Sequence, residues 1–198
     1  MIFTETPLSG AFLIELELLE DKRGFFARSF DAKEFEARGM RAQVAQCNVS
    51  FNPSKGTLRG MHMQVSPATE PKLVRCTSGA IYDVIVDMRP QSPTYLQHFG
   101  VELSAANRRQ LYVPDLFAHG YLTLVDGAEV AYPVGEFYTP GYERGLRWTD
   151  PDRGGADELT RDVRLSDLAR SFRSTEATFR LDAIVAATAD PTRIGPSI

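Results

Sequence analysis

Three short stretches of the sequence hold most of the side chains that could move protons or bind anions. The first spans residues 56–64 and is followed closely by Lys72. In an extended strand His62 and Gln64 lie on one face, because side chains alternate with a period of two. A histidine by itself is most often a hydrogen-bonded structural residue. The nearby cations Arg59 and Lys72 favour a functional imidazole, which could transfer a proton beside a developing negative charge.

The other two stretches add a second histidine and a tyrosine. His119 lies within residues 113–120, and Tyr132 follows a few residues later. A tyrosine in such a run is most often a packed aromatic with a tethered hydroxyl. Arg23, in a short turn-like segment, is typical of a surface residue. Spacing alone does not place Tyr132 opposite His62, so the residues leave both interpretations open.

β-Strands are predicted to position these side chains. Apolar and acidic residues nearly alternate over 12–18, which is the pattern of a half-buried strand. Short strands separated by turn sequences predict an antiparallel sandwich or barrel. One early helix is predicted, with Asp31 as its N-cap and Gly39 near its end. The other predicted strands are 43–49, 72–77, 80–88, 97–103, 110–113, 119–125 and 129–133.

Length and composition indicate one globular domain. The chain has 198 residues, of which 43% are hydrophobic and 24% charged, with a formal net charge of -4. Such a charge provides no basic face for nucleic acid, so an anionic ligand requires a local cluster of Arg and Lys. The composition changes near residue 150, where a segment rich in charged residues begins. We expect a β-barrel over 1–150, a helical segment over 151–186 that packs on it, and a flexible tail over 187–198.

The two cysteines, Cys47 and Cys76, are too few for a disulfide framework and lack metal-ligand spacing. No basic leader precedes an apolar run, and no stretch is long enough to span a membrane. These features predict a cytoplasmic protein that neither enters a membrane nor binds nucleic acid.

A series of short motifs occurs in a fixed order along the chain: KRGFF (22–26), QCN (46–48), LRGMHMQ (58–64), KLVR (72–75), YDV (82–84), SPT (92–94), LS (103–104), FAHG (117–120) and EVAY (129–132). In this order the motifs resemble those of the dTDP-4-dehydrorhamnose 3,5-epimerase family. The resemblance covers roughly residues 1–150 and implies a cupin-type jelly-roll β-barrel that is dimeric and needs no metal or cofactor. It also implies activity on nucleotide-linked 4-keto-6-deoxy sugars.

The resemblance also implies roles for individual residues. His62 matches the general base, which removes a proton from the carbon next to the C4 ketone. Tyr132 matches the general acid on the opposite face, and Lys72 is the matching cation at the ketone oxygen. The paired N–H donors of an arginine guanidinium group suit a pyrophosphate. Tyr138 matches the aromatic residue that stacks on the nucleotide base. Positions matching substrate contacts are Arg23, Arg28, Gln46, Asn48, Arg59, His119, Tyr138 and Glu143.

The sequence departs from the family's pattern near its C-terminus. The family pairs its catalytic histidine with an aspartate, but Ala169 aligns best with that position. Asp167 and Asp83 are candidate substitutes, as is Asp162. The family's Trp-Pro pair is replaced by a segment containing two glycines. Arg28 stands where many members carry Glu.

The predicted function is therefore epimerisation at C3, C5 or both of a nucleotide-diphosphate 4-keto-6-deoxyhexose by a homodimer. One alternative is a binding protein of the same fold that has lost turnover, suggested by Ala169. A less favoured alternative is a metal-dependent cupin. It would need two or three histidines and a carboxylate. The sequence offers only His62, His98 and His119, with Gln64 where a second metal-binding histidine would stand.

Overall fold

The structure is a computed structural model that describes residues 1–145. The predicted helical segment over 151–186, the tail over 187–198 and the positions Asp162, Asp167 and Ala169 lie outside the described residues. The strands within 1–145 are β1 (Ile2–Glu5), β2 (Phe12–Glu15), β3 (Leu19–Asp21), β4 (Gly24–Phe26), β5 (Gln46–Asn52), β6 (Leu58–Gln64), β7 (Lys72–Ser78), β8 (Ala80–Asp87), β9 (His98–Ser104), β10 (Gln110–Val113), β11 (Phe117–Thr123), β12 (Ala128–Val134) and β13 (Glu143–Gly145).

Two antiparallel sheets form the body of the fold. The six-stranded sheet has the order β1-β2-β10-β7-β12-β5, and the five-stranded sheet has the order β13-β6-β11-β8-β9. Because most neighbouring strands are distant in sequence, the chain crosses repeatedly between the sheets. This mainly β jelly-roll arrangement confirms the predicted fold class.

The core between the sheets consists of the side chains that alternate inward along each strand. In β7 and β12, for example, Val74 and Val130 are fully buried. Phe117 and Ile81 contribute from β11 and β8 of the facing sheet. The period-two pattern that predicted strands thus also selects the residues that hold the two sheets together.

One helix, α1 (Ala32–Glu36), lies within the described residues, where the sequence predicts it. The Asp31 side chain caps it by accepting hydrogen bonds from the backbone N–H groups of Lys33 and Glu34. Its buried Phe35 packs edge-on against Tyr112 of the six-stranded sheet. No helix within residues 1–145 has the length and apolar character needed to cross a membrane.

The strands β3 and β4 form a separate hairpin. All of its residues are exposed, including two consecutive phenylalanines. The Arg108 guanidinium lies 4.6 Å from the Phe25 ring centroid, which links the hairpin to the body of the fold.

The predicted strand 43–49 is displaced in the structure. β5 begins at Gln46 and continues to Asn52, which the sequence assigned to a turn because Pro53 follows it. The Asn52 side chain is completely buried and hydrogen-bonded, so tertiary contacts extend the strand through a residue that favours turns.

Candidate active site

His62 and His119 lie opposite each other on two neighbouring strands. In the antiparallel pairing of β6 and β11 they are register partners, and their ring centroids are 6.3 Å apart with the planes at 71°. The register shifts immediately afterwards, between His119 and Tyr121. Two imidazoles that are far apart in sequence therefore share one region of the sheet.

Two glycines allow β6 and β11 to approach each other at this point. A Cβ atom on Gly60 would lie 2.6 Å from both the Gly120 Cα and the His119 carbonyl oxygen. A Cβ on Gly120 would lie 2.8 Å from the Arg59 carbonyl oxygen. Both positions therefore require glycine, and the close approach sets the facing positions of His62 and His119.

His119 forms a buried pair with Asp83. The His119 Nε2 atom lies 2.9 Å from the Asp83 Oδ2 atom, and both side chains are almost completely buried. Burial raises the pKa of Asp83, and the neighbouring His119 opposes this shift. The Asp83 Oδ1 atom has no hydrogen-bond partner among the described residues.

Asp83 is therefore bonded to a different histidine from the one that the sequence suggested. It was a candidate partner of His62, but the one hydrogen bond that its side chain forms within residues 1–145 goes to His119. The reason is the strand order, because β11 lies between β6 and β8 and separates the two side chains. The other candidate, Asp167, lies outside the described residues.

His62 is a neutral imidazole at neutral pH. Its side chain retains accessible surface, so it is open to solvent on one side. The protein atoms that surround the rest of the ring disfavour the imidazolium, and this burial is the main reason why the pKa is lowered from 6.5 to about 3. Positive charge on His119, Lys72 and Arg59 lowers the pKa further. The ring can therefore accept a proton.

Lys72 reaches the same region from the facing sheet. It begins β7, and its side chain is only 3% exposed. The Lys72 Nζ atom lies 2.5 Å from the Glu70 Oε1 atom, so its charge is paired. Since its charge also contributes to the lowered pKa of His62, the ammonium lies within electrostatic reach of that ring.

Tyr132 lies on β12, the neighbour of β7, and is paired in register with Asn48 on β5. Burial raises the pKa of the half-buried Tyr132 phenol above its ordinary value of 10.0, and Tyr121 and Glu70 raise it further. At neutral pH the phenol is protonated and can donate a proton. The Arg59 charge lowers the pKa of both Tyr132 and His62, so the two groups lie within electrostatic reach of the same cation.

A partly buried hydrogen-bond network orients Arg59. Its Nε atom donates to the Asn52 Oδ1 atom over 2.7 Å, and the Asn52 amide donates to the Tyr121 hydroxyl over 3.3 Å. The Tyr121 hydroxyl donates in turn to the Ser50 hydroxyl over 3.0 Å. Of the three guanidinium nitrogens of Arg59, Nε is the one that has a hydrogen-bond partner within residues 1–145. Its two terminal amino groups are available to an anion.

A loop between β12 and β13 connects the ends of the two sheets. The Tyr138 backbone N–H donates to the Gln46 Oε1 atom over 3.0 Å, and the Thr139 N–H donates to the Gln64 Oε1 atom over 2.7 Å. The Tyr138 side chain remains 46% exposed. Glu143, at the end of this loop, pairs in register with Gln64. Tyr138, Gln46 and Glu143 are thus brought to one end of the sandwich.

The structure does not bring every matched residue to this region. Arg23 lies in the exposed β3–β4 turn and pairs with Asp21, and its side chain is 83% exposed. Arg28 pairs with Asp31, the helix N-cap, at 3.1 Å. Neither arginine has a polar contact with the histidines or with Tyr132 in the part of the chain that the structure describes.

Sequence reasoning missed three residues that support the site, namely Glu70, Asn52 and Tyr121. The Glu-Pro-Lys sequence at 70–72 is the signal that could have identified Glu70, because it places a carboxylate two residues before the lysine. No sequence pattern identified Asn52 or Tyr121 as supporting residues, because Asn-Pro is typical of a turn and Tyr121 is typical of a core aromatic.

Residues 1–145 contain no cluster of three or more His, Cys, Asp and Glu side chains that could hold a metal ion. His98 lies on β9, at the opposite edge of the five-stranded sheet from β6. The arrangement instead combines a neutral imidazole, a protonated phenol and an ammonium. Such a set can remove a proton next to a carbonyl group, stabilise the resulting oxyanion and return a proton.

Comparison with known proteins identifies the family. The family model for dTDP-4-dehydrorhamnose 3,5-epimerase matches residues 5–168. A dTDP-4-dehydrorhamnose 3,5-epimerase of Shigella flexneri is 44% identical over 147 residues, which cover 74% of this chain and 81% of the relative.

Two solved structures are also similar to this chain. A dTDP-4-dehydrorhamnose 3,5-epimerase of Bacillus anthracis, with TDP and PPi bound, is 45% identical with a TM-score of 0.72. The match covers 75% of this chain and 85% of that one. An epimerase of Legionella pneumophila in complex with dTDP-4-keto-L-rhamnose is 40% identical with a TM-score of 0.70, over 76% and 79% of the two chains. With its matching fold and motifs, the chain belongs to the dTDP-4-dehydrorhamnose 3,5-epimerase family.

Proposed function

We propose that the protein epimerises a nucleotide-diphosphate 4-keto-6-deoxyhexose, with a dTDP-sugar as its substrate, at C3, C5 or both. The observation that carries the proposal is that a proton acceptor, His62, and a proton donor, Tyr132, both lie within electrostatic reach of Arg59, and that His62 also lies within reach of Lys72. The TDP and the dTDP-4-keto-L-rhamnose bound to the two related structures support this class of substrate.

The reaction proceeds through an enolate. His62 takes the proton from the carbon next to the C4 ketone, and the electron pair of the C–H bond moves to the C4 oxygen. The Lys72 ammonium stabilises this oxyanion, assisted by His119, where a positioned cation has the largest effect on the rate. Tyr132 then donates its proton to the opposite face of the same carbon. Proton exchange with water resets the imidazolium and the phenolate, so the cycle balances without a redox or metal cofactor.

The charge of the substrate would offset part of the lowered pKa of His62. In the free protein burial is the main factor that opposes protonation of His62, and the charges of His119, Lys72 and Arg59 add to it. A diphosphate adds negative charge beside them and offsets this repulsion. We therefore expect the basicity of His62 to rise when the substrate binds.

Substrate binding is assigned to the residues that surround this centre. The outward amino groups of Arg59 suit the diphosphate. The exposed ring of Tyr138 is free to stack on the nucleobase. Gln46, Asn48 and Glu143 contact the sugar or nucleotide in this proposal.

The active form is a homodimer in this proposal. The exposed hairpin carries Phe26, which is 66% exposed, and Arg23, which matches a substrate contact but lies apart from the site of its own chain. The edge strand β5 also presents Val49 and Phe51, at 68% and 59% exposed. A second copy that covers these apolar residues would allow Arg23 and Arg28 to reach the partner's site. A reducing cytoplasm, in keeping with the free Cys47 and Cys76, is the proposed location.

Hydrogen exchange tests the proposed reaction directly. We expect deuterium from heavy water to enter C3, C5 or both of a dTDP-linked 4-keto-6-deoxyhexose, as followed by NMR. The variant His62→Asn should lose this exchange, because an amide does not accept the proton. His98→Asn is the matched control, since it removes a histidine at the far edge of the sheet.

The outcomes separate the alternatives. Tight nucleotide-sugar binding without exchange would assign the protein to the binding-only alternative. Exchange that is unchanged in His62→Asn would refute the role of that imidazole. Stoichiometric iron, manganese or zinc in the purified protein would revive the metal-dependent alternative.

A further inference from the structure

We propose that Glu70 is a positioning residue that holds the buried Lys72 side chain in place as an ammonium. This inference rests on the proposed function for its catalytic consequence. The carboxylate belongs to none of the groups that the family resemblance assigned. It lies just before β7 and contacts the side chain that is to stabilise the enolate.

The first argument is the burial of the pair. The side chains of Lys72 and Glu70 are 3% and 11% exposed, and their charged atoms are 2.5 Å apart. A buried ammonium without a counter-ion is strongly disfavoured relative to the neutral amine. Glu70 is the one anionic partner that Lys72 has within residues 1–145. The cation therefore depends on this carboxylate.

The backbone fixes the geometry of the pair. Pro71, between the two residues, has a restricted φ angle, and its carbonyl oxygen accepts a hydrogen bond from the Gly135 N–H over 3.0 Å. The Pro71 ring packs so closely on Gly135 that a Cβ there would lie 2.6 Å from it. The segment is thus anchored against the end of β12, the strand that carries Tyr132.

The chemistry of the ammonium group leaves room for a substrate. A lysine ammonium has three N–H donors, of which Glu70 takes one. The remaining donors can bind the C4 oxygen as it gains charge. Burial is the main cause of the raised pKa of Tyr132, and the Glu70 charge adds to it after Tyr121.

The test compares Glu70→Gln, which removes the charge, with Glu70→Asp, which retains it, and with Glu102→Gln, which neutralises an exposed carboxylate on β9. We expect the kcat for deuterium exchange in Glu70→Gln to fall about 10- to 100-fold, with KM changed less than about threefold. The alkaline limb of its rate profile should move down by about one pH unit. In Glu70→Asp the alkaline limb should lie at the same pH as in the wild type, and Glu102→Gln should match the wild type in both rate and pH profile.

A second measurement does not depend on activity. The sequence contains four lysines, and Lys22, Lys33 and Lys55 are exposed. In a 1H–15N NMR spectrum of lysine ammonium groups, the buried Lys72 should give a slowly exchanging signal that Lys72→Met removes. This signal should disappear in Glu70→Gln and persist in Glu102→Gln.

Loss of the Lys72 signal in Glu70→Gln, with thermal unfolding showing a folded protein, supports the proposal whether or not the wild type exchanges deuterium. A wild type without exchange would refute only the proposed function. A persistent signal, or a pH profile like that of the wild type in an exchanging enzyme, would overturn the role of Glu70. If Glu70→Gln does not fold, the pH profile of Glu70→Asp tests the role of Glu70 instead. Its alkaline limb should match the wild type, and a limb displaced by one pH unit would contradict the proposal.

Discussion

Replacing Gly60 by alanine should damage the candidate site through the backbone. The added Cβ would lie 2.6 Å from the Gly120 Cα and from the His119 carbonyl oxygen, whereas ordinary contact begins at 3.4 Å. Both are backbone atoms, so β6 and β11 must separate by about 0.8 Å. The φ angle of +104° adds strain for any residue with a side chain. We expect a loss of about 2–5 kcal/mol in the free energy of unfolding.

The same displacement should lower the rate of deuterium exchange. His62 lies two residues beyond Gly60, and a misplacement of about 1 Å can cost about 100-fold in rate. We therefore expect a loss of between about 10- and 100-fold in kcat. Urea unfolding and NMR-detected exchange measure the two effects.

Two other glycines separate the steric effect from the backbone strain. Gly127 and Gly24 have φ angles of +67° and +121°, which bracket that of Gly60, and a Cβ at either position would meet nothing within 4 Å. Gly127→Ala and Gly24→Ala should lose about 1 kcal/mol or somewhat more. Gly127→Ala should retain full exchange. If Gly60→Ala were as stable and as active as Gly127→Ala, the argument from close strand approach would be refuted.

Three further predictions concern pH, substrate affinity and stereochemistry. Burial alone would raise the pKa of Asp87, but hydrogen bonds, above all from Arg89, lower it. The ionised Asp87 therefore stabilises the fold above pH 3.8, and this stabilisation is lost as the pH falls through the lowered pKa. Asp87→Asn should lose about 2–3 kcal/mol at pH 7 in urea unfolding, with a gap to the wild type that narrows in acid; a constant gap would contradict this reasoning. Asn52→Ala should raise the KM of the exchange reaction about 10-fold by releasing Arg59, and an unchanged KM would show that the network does not orient the guanidinium. Tyr132→Phe should retain deuterium exchange but lose inversion, because the phenol supplies the proton on the second face. Since the pKa of this phenol is raised, the alkaline limb of wild-type inversion should lie above pH 10.0, and a lower limb would argue against Tyr132 as the donor.

The strands were largely predictable because their pattern is local. The turn sequences on both sides of β8 helped to predict a strand over 80–88, and the structure has Ala80–Asp87. β10 agrees with its prediction at both ends. The edge strands β1 and β13 were not predicted.

The sequence by itself determined the fold class, through periodicity, and the family, through the order of its motifs. Tertiary structure decided the partners of individual side chains. Asp83 bonds to His119 rather than His62 because β11 separates β6 from β8, and strand order is a long-range property. Asn52 is a buried hydrogen-bond acceptor for Arg59, although the residues next to it in sequence favour a turn. Such pairings depend on which strands meet across the sandwich, and local sequence carries no information about that choice.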